Sequence, residues 1–398
     1  GTTSLKGGSF NTGPATNSES LSRVELDGLT HYDGGTITVS GVLRQNGDAS
    51  VNSDITINGD YFDMDGSTGE MSHWNLNKDL TLNVLGIEDR TTNNLFHGTI
   101  DLNNSDSTLT VNTATPWTMD GTLQISTSTI MTLPSVAGQN FILSGEANID
   151  GGTRFDAIVE ITGTVNLLTA TSRLAVSGGN LTDINTIHGG TITGPTDSSL
   201  RAITGHSLVG YGNINTGVDF LSGSALLADD GTLTIDGSFI ALGKIGTHDA
   251  DGLLNIVNAW DTNIADRLEL NGGSVTGALI TNGGQTVGQG DITTDGFDNI
   301  GTLSAEGGTL TLNTTAIPDL DGTANAGVIN AISGNVHVAT AGGSSKFLGT
   351  LNINRGYEFR MTSHGLDSRG SINMNGGTLS VANLQQSGQL LIKAGAVS

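Results

Sequence analysis

The 398-residue chain has no cysteine, only five prolines and few aromatic residues, 4% in all. The first absence excludes a disulfide-stapled mini-scaffold and any cysteine chemistry. Basic residues are scarce as well: 15 Lys and Arg stand against 39 Asp and Glu, for a formal charge of −24. That balance argues against nucleic acid as a partner, because phosphate neutralisation needs clustered Lys and Arg. No run approaches the roughly 18 consecutive apolar residues of a membrane span, so membrane insertion is not expected. The chain opens at Gly1-Thr2-Thr3 without an initiator Met or an apolar signal segment, and reads as a mature or excised polypeptide. Helical patterning is nearly missing too. Ser18 to Leu26 and Asn263 to Leu270 offer a turn or two, but no window sustains apolar spacing at i, i+3, i+4 and i+7.

What the chain has in abundance is glycine, 59 residues, set in a short recurring phrase. Glycine is followed by Thr, Asn or Ser, then Ile, Leu or Val, a variable residue, and often a further apolar one. Instances run from Gly35-Thr36-Ile37-Thr38-Val39 through Gly121-Thr-Leu-Gln-Ile125, Gly163-Thr-Val-Asn-Leu167 and Gly231-Thr-Leu-Thr-Ile235 to Gly349-Thr-Leu-Asn-Ile353 and Gly377-Thr-Leu-Ser-Val381. The phrase couples a glycine able to take the positive φ of a tight turn to an alternation that turns one face inward. That describes a short half-buried strand entered through a turn.

A sandwich rarely repeats one turn-plus-strand phrase throughout such a chain, whereas a solenoid makes the same turn in every rung and stacks like residues on like. The expected fold is therefore all-β, a parallel β-helix or β-solenoid. With about 20 to 25 residues per rung the chain supplies on the order of 16 to 20 rungs. Residues 1–30, with Gly7-Gly8-Ser9, Pro14 and the polar run Asn17 to Ser20, hold no full copy of the phrase and read as an N-terminal arm or cap; 31–398 read as the solenoid. The aromatic segment from Asp60 to Trp74 reads as a core cap or a contact surface.

Two stretches carry a family likeness. They are Leu208-Val-Gly-Tyr-Gly-Asn-Ile-Asn-Thr-Gly217 followed by Ala228-Asp-Asp-Gly-Thr-Leu-Thr-Ile-Asp-Gly237, and Val287-Gly-Gln-Gly-Asp-Ile292 followed by Leu303-Ser-Ala-Glu-Gly-Gly-Thr-Leu-Thr-Leu312. In these, and in composition over residues 120–398, the chain resembles the parallel β-helix passenger regions of bacterial autotransporters and filamentous-haemagglutinin-like adhesins. The resemblance implies a right-handed helix, in line with the general rule for parallel connections, and an extracellular or cell-surface location.

Three copies of Asp-x-Asp-Gly invite a calcium reading: Asp63 and Asp65, Asp249 and Asp251, and Asp319 and Asp321. In calcium loops this spacing lets alternate carboxylates converge while glycine makes the bend, and Glu70 offers another oxygen after the first copy. Plain solvated turns use the same residues. The eight histidines are scattered singly, and there is no Gly-x-Ser-x-Gly elbow, Walker loop or His-Glu-x-x-His. Arg355, Tyr357, Phe359, Arg360 and Arg369 gather three of the few basic groups beside two aromatics, with Glu358, His364 and Asp367 among them. They are read as an interface for an acidic partner, including another copy of this chain.

The function expected from these features is a non-enzymatic extracellular structural protein: a self-associating subunit of a surface fibre or layer, or an adhesin segment. Its partners would be further copies of itself, joined end to end, and surface glycans. The alternative is a β-helix polysaccharide lyase or hydrolase drawing a base, an acid and a sugar-stacking ring from Arg355 to Arg369.

Overall fold

The computed structural model describes residues 2–11, 23–64, 72–87, 94–104, 107–114, 116–126, 129–132, 140–156, 158–176, 184–202, 204–314, 327–340 and 344–398. Strands dominate, and among the described residues the strand pairs are parallel and join one coil to the next, giving a β-solenoid of about 15 turns. The turns are fewer than a uniform rung predicts because coil length varies, from 17 residues between Asn282 and Asn299 to 29 between Asn83 and Asn112. Contacts divide the chain into two compact units, Gly1–His206 with Asn215–Gly217, and Ser207–Ile214 with Val218–Ser398.

In each unit the period of two decides which side chains enter the core. Along Leu80–Gly86, Leu80, Leu82 and Val84 point inward and are buried, while Thr81 and Asn83 face out. Parallel pairing in register then stacks inward residues into columns. In the first unit one column runs Trp74, Ile100, Leu123, Ala147, Val165, Ile192, every member fully buried. In the second, Leu233, Leu254, Val275, Ile292, Leu312 and Val338 do the same. Each Val, Leu or Ile side chain in these columns contributes about 1.5–3 kcal/mol of burial.

In the aromatic segment Phe62 and Trp74 belong to the core and Tyr61 is half-buried, while residues 65–71 lie outside the described residues. Trp74 stacks on Tyr32 with centroids 5.4 Å apart, Phe62 packs edge-on at 5.6 Å, and all three are fully buried. The Trp74 indole donates to the Met64 carbonyl at 2.9 Å, and the Tyr32 hydroxyl donates to Gln45 at 3.1 Å. Burial pushes the Tyr32 phenol well above its ordinary ionisation range.

Within residues 1–30, Thr2–Leu5, Gly8–Asn11 and Arg23–Leu26 all pair in parallel with Leu29–Gln45, as an added coil on the stack. Of the two stretches with weak helical patterning, one places Arg23–Leu26 in a strand. The other yields a single 3-10 turn, Thr262–Ile264, whose N-cap Asp261 accepts the Asn263 N–H at 2.8 Å. The strand Ala265–Gly277 follows at once.

The role of the phrase's glycine differs from the expected one. Gly35, Gly212 and Gly231 take a positive φ, but Gly98, Gly121, Gly145 and Gly163 do not. These four are stacked at one corner, where a Cβ on Gly121 would lie 1.9 Å from the Gly98 carbonyl oxygen, and one on Gly145 2.1 Å from that of Gly121. Those carbonyls accept backbone N–H bonds from the next coil: Thr122 to Gly98 at 3.0 Å, Glu146 to Gly121 at 2.9 Å, Thr164 to Gly145 at 2.9 Å. Glycine is required there by close approach, so any side chain forces the coils apart. Gly121→Ala should cost about 3 kcal/mol and lower the melting temperature, whereas the outward Thr122→Ala should stay within about 0.5 kcal/mol. Equal melting of the two variants would contradict this packing.

Candidate functional site

Asp63, the first expected calcium ligand, is 1% exposed and lies 2.6 Å from the Arg44 guanidinium, itself buried, with Glu25 3.8 Å from the other side of Arg44. It is the buried anion of an ion pair, held by a residue one coil away. Its companion Asp65, with Glu70, and the third pair, Asp319 and Asp321, lie outside the described residues.

The second copy converges differently from the expectation. Asp249 accepts the backbone N–H groups of Asp251 and Gly252, each at 3.0 Å, so the motif forms its own turn. The carboxylates that approach Asp249 come from the preceding coil: oxygens of Asp229, Asp230 and Asp249 all lie within 4.8 Å of one another, and His248 Nδ1 is 3.2 Å from Asp229. Asp251 is not in that group. Three carboxylates supply part of the six to eight oxygens a calcium ion takes. Asp230 holds φ at 53°, the one positive value for a non-glycine among the described residues.

The arginine stretch is split by alternation. Phe359 is fully buried between Val336 and Leu379, which removes it from any contact surface. Arg360 faces out between His337 and Ser380, Arg355 is exposed at the turn before the strand, and Tyr357 is half-buried. Arg369 is exposed but directs two guanidinium nitrogens at Asp367, at 2.9 and 3.2 Å. Glu358 accepts from the Ser380 hydroxyl at 2.6 Å and sits 3.4 Å from His337.

Two arrangements escaped the linear reading. Five of the histidines that stand alone in sequence each meet a carboxylate of a neighbouring coil: His73 with Asp101, His97 with Asp120, His188 with Glu160, His248 with Asp229 and His337 with Glu358, at 3.0 to 3.5 Å. The signal was present as one coil length between partners, but only a known register reveals it.

The second is a shallow groove of about 550 Å³ along the corner glycines, lined by His97, Thr99, Asp120, Gly121, Thr122, Gly145, Glu146 and Thr164. It exists because Gly121 and Gly145 put no side chain between the two flanking columns. Asp120 accepts from Ser144 at 3.2 Å and Glu146 from Asn166 at 2.7 Å, so both carboxylates are held by neutral donors from the next coil. The groove can offer hydroxyls and two acidic groups to an extended polar ligand.

Comparison with protein-family models, with curated proteins and with solved structures finds no match.

The Arg44–Asp63 pair supplies a direct test of what this Asp-x-Asp-Gly copy does. Asp63→Asn should destabilise the protein by about 3–5 kcal/mol, because it strands a buried guanidinium charge. The loss should be the same in calcium and in chelator; a loss that appears only with calcium present would return Asp63 to the metal reading.

Proposed function

We propose that the chain is a non-catalytic structural or adhesive element of an extracellular surface, which associates with further copies of itself by adding coil to coil. The observation that carries this reading is the in-register addition of coil to coil, which stacks inward apolar residues in columns as far as the strand Gln389–Val397. That strand pairs in parallel with Ser371–Gln386, and all nine of its residues are exposed. Leu390 lies in register with Ile372, Ile392 with Met374 and Val397 with Leu379, so the inward columns continue into it. Yet Leu390, Leu391, Ile392 and Val397 are 40 to 47% exposed. An open strand edge bearing apolar side chains is a template for another strand.

A further coil on this edge, of this chain or of another copy, would bury Leu390, Ile392 and Val397 and pair the backbone groups along it. Since the contacting surfaces would differ, such a contact propagates. The formal charge of −24 opposes association, so screening by salt, or calcium at the Asp229, Asp230 and Asp249 carboxylates, should favour it. Amide ladders on outward columns, such as Asn330, Asn352 and Asn373, suit contact with surface glycans. The polysaccharide-cleaving alternative draws its support from Asp120 and Glu146 sharing one groove.

Light scattering of the full chain at rising concentration should show mass increasing, more steeply in high salt or calcium. Ile392→Lys should hold the protein at monomer mass. A monomer in every condition would overturn the self-association, and release of reducing ends or unsaturated products from polysaccharide, lost in Glu146→Gln, would replace the non-catalytic reading.

A further inference from the structure

Two outward columns of the first unit form a two-dimensional array of neutral hydrogen-bonding groups. One column is Thr36, Thr56, Thr81 and Thr110; the other, two residues along each strand, is Thr38, Asn58, Asn83 and Asn112. The pairing through these positions is in register without a bulge. Beneath them Ile37, Ile57, Leu82 and Val111 are all fully buried, which fixes each strand's height. Every member of the array is partly or fully exposed.

No charge interrupts it, in a chain that carries 39 acidic residues. The corresponding columns on the groove face are broken by His73, Asp101 and Glu146, and one in the second unit by Asp291, His337 and Arg360. The nearest acids along the strands, Asp54, Asp60 and Asp79, accept backbone N–H groups: Gly41 donates to Asp60 at 2.9 Å, Asp79 to Asp54 at 3.3 Å and Thr108 to Asp79 at 2.8 Å.

The array is also rigid. Asn83 donates its amide to Asn58 at 2.7 Å, and Asn112 donates to Asn83 at 2.8 Å. Each asparagine in the ladder keeps amide hydrogen-bonding capacity for solvent. Threonine, β-branched and stiff at χ1, presents its hydroxyl and methyl in a repeated orientation along the other column. Groups already fixed in place bind an ordered partner without the entropy cost of ordering themselves.

The dimensions of the array come close to those of an ordered water lattice. Parallel strands repeat at about 4.8 Å across coils, and alternate residues at about 6.7 Å along a strand. In a tetrahedral water network with O–H···O bonds of about 2.75 Å, second-neighbour oxygens lie about 4.5 Å apart and stacked rings repeat at about 7.3 Å. The mismatch across coils is about 0.3 Å per step and reaches about 0.9 Å over the three steps from Thr36 to Thr110, and the one step along a strand differs by about 0.6 Å, both small against the lattice repeats. A charged side chain would break such a network by imposing its own hydration shell.

We propose that the Thr36–Thr110 and Thr38–Asn112 columns form an ice-binding face, whose ligand is the ordered water lattice of a growing ice surface. This stands independently of self-association, since the face lies on a flank of the coils and not on their stacking edge.

The test is partition of the full-length protein into slowly growing ice, with recrystallisation of polycrystalline ice as a second readout. The wild type should be enriched in the ice fraction and slow grain growth. Thr81→Tyr, at the centre of the array on an outward position, should lower enrichment roughly tenfold, one decade in binding. Thr122→Tyr on the groove face should match the wild type. Thr56→Val keeps the methyl group and packing but removes a hydroxyl, and should give an intermediate loss, guarding against a folding artefact at Thr81. Exclusion of the wild type from ice, or equal enrichment of the Thr81 and Thr122 variants, would overturn the proposal.

Discussion

Everything in this fold depends on the distance between one coil and the next. Parallel strands must lie about 4.8 Å apart for their backbone groups to pair, and that spacing holds at the corners as well as along the flat faces. At a corner it leaves no room for a Cβ: the Gly98 carbonyl occupies the place a side chain on Gly121 would take, and accepts its bond from Thr122. The same pattern recurs in the second unit, where a Cβ on Gly349 would meet the Gly327 carbonyl at 1.8 Å and one on Gly370 the Gly349 carbonyl at 2.0 Å. The recurring glycine-threonine phrase is thus the chemical signature of a coil that must sit directly on its neighbour.

The same constraint organises the outside. A residue in register with its counterpart one coil away interacts with it whether or not the chain length between them is regular. Asparagines become ladders, as at Asn330, Asn352 and Asn373, bonded at 2.9 and 3.0 Å. Histidines find carboxylates, and carboxylates that face one another, as at Asp229 and Asp249, concentrate negative charge. The candidate groove, the acidic cluster and the neutral Thr/Asn face are therefore three products of one geometry, distinguished by which residues occupy a column.

Strand content and coil stacking were legible because they rest on local patterns: alternation at period two and a glycine before each short strand. Alternation would also have placed Phe359 inward and Arg360 outward, and reading the arginine stretch as a single surface overlooked it. Register was not legible, since coils differ by several residues in length and nothing local counts them. This is why the sequence motif points to Asp63 as a metal ligand although its partner is Arg44, 19 residues earlier, and why it pairs Asp249 with Asp251 and not with Asp229 and Asp230 of the preceding coil. It is also why local pattern alone assigns the phrase's glycine a turn conformation at positions where close approach explains it.

Register is accordingly the central claim, and the absence of native cysteine makes it directly measurable. In the double variant Thr56→Cys, Thr81→Cys, the two thiols would sit on paired positions of adjacent coils, within the 4.4–6.8 Å Cα separation a disulfide tolerates. In Thr56→Cys, Thr110→Cys they would be two coils apart, at about 9.6 Å. Mild oxidation followed by mass spectrometry of the intact chain should show an intramolecular disulfide in the first variant and free thiols in the second. Cross-linking of both alike, or of neither, would contradict the coil-on-coil register on which this account rests.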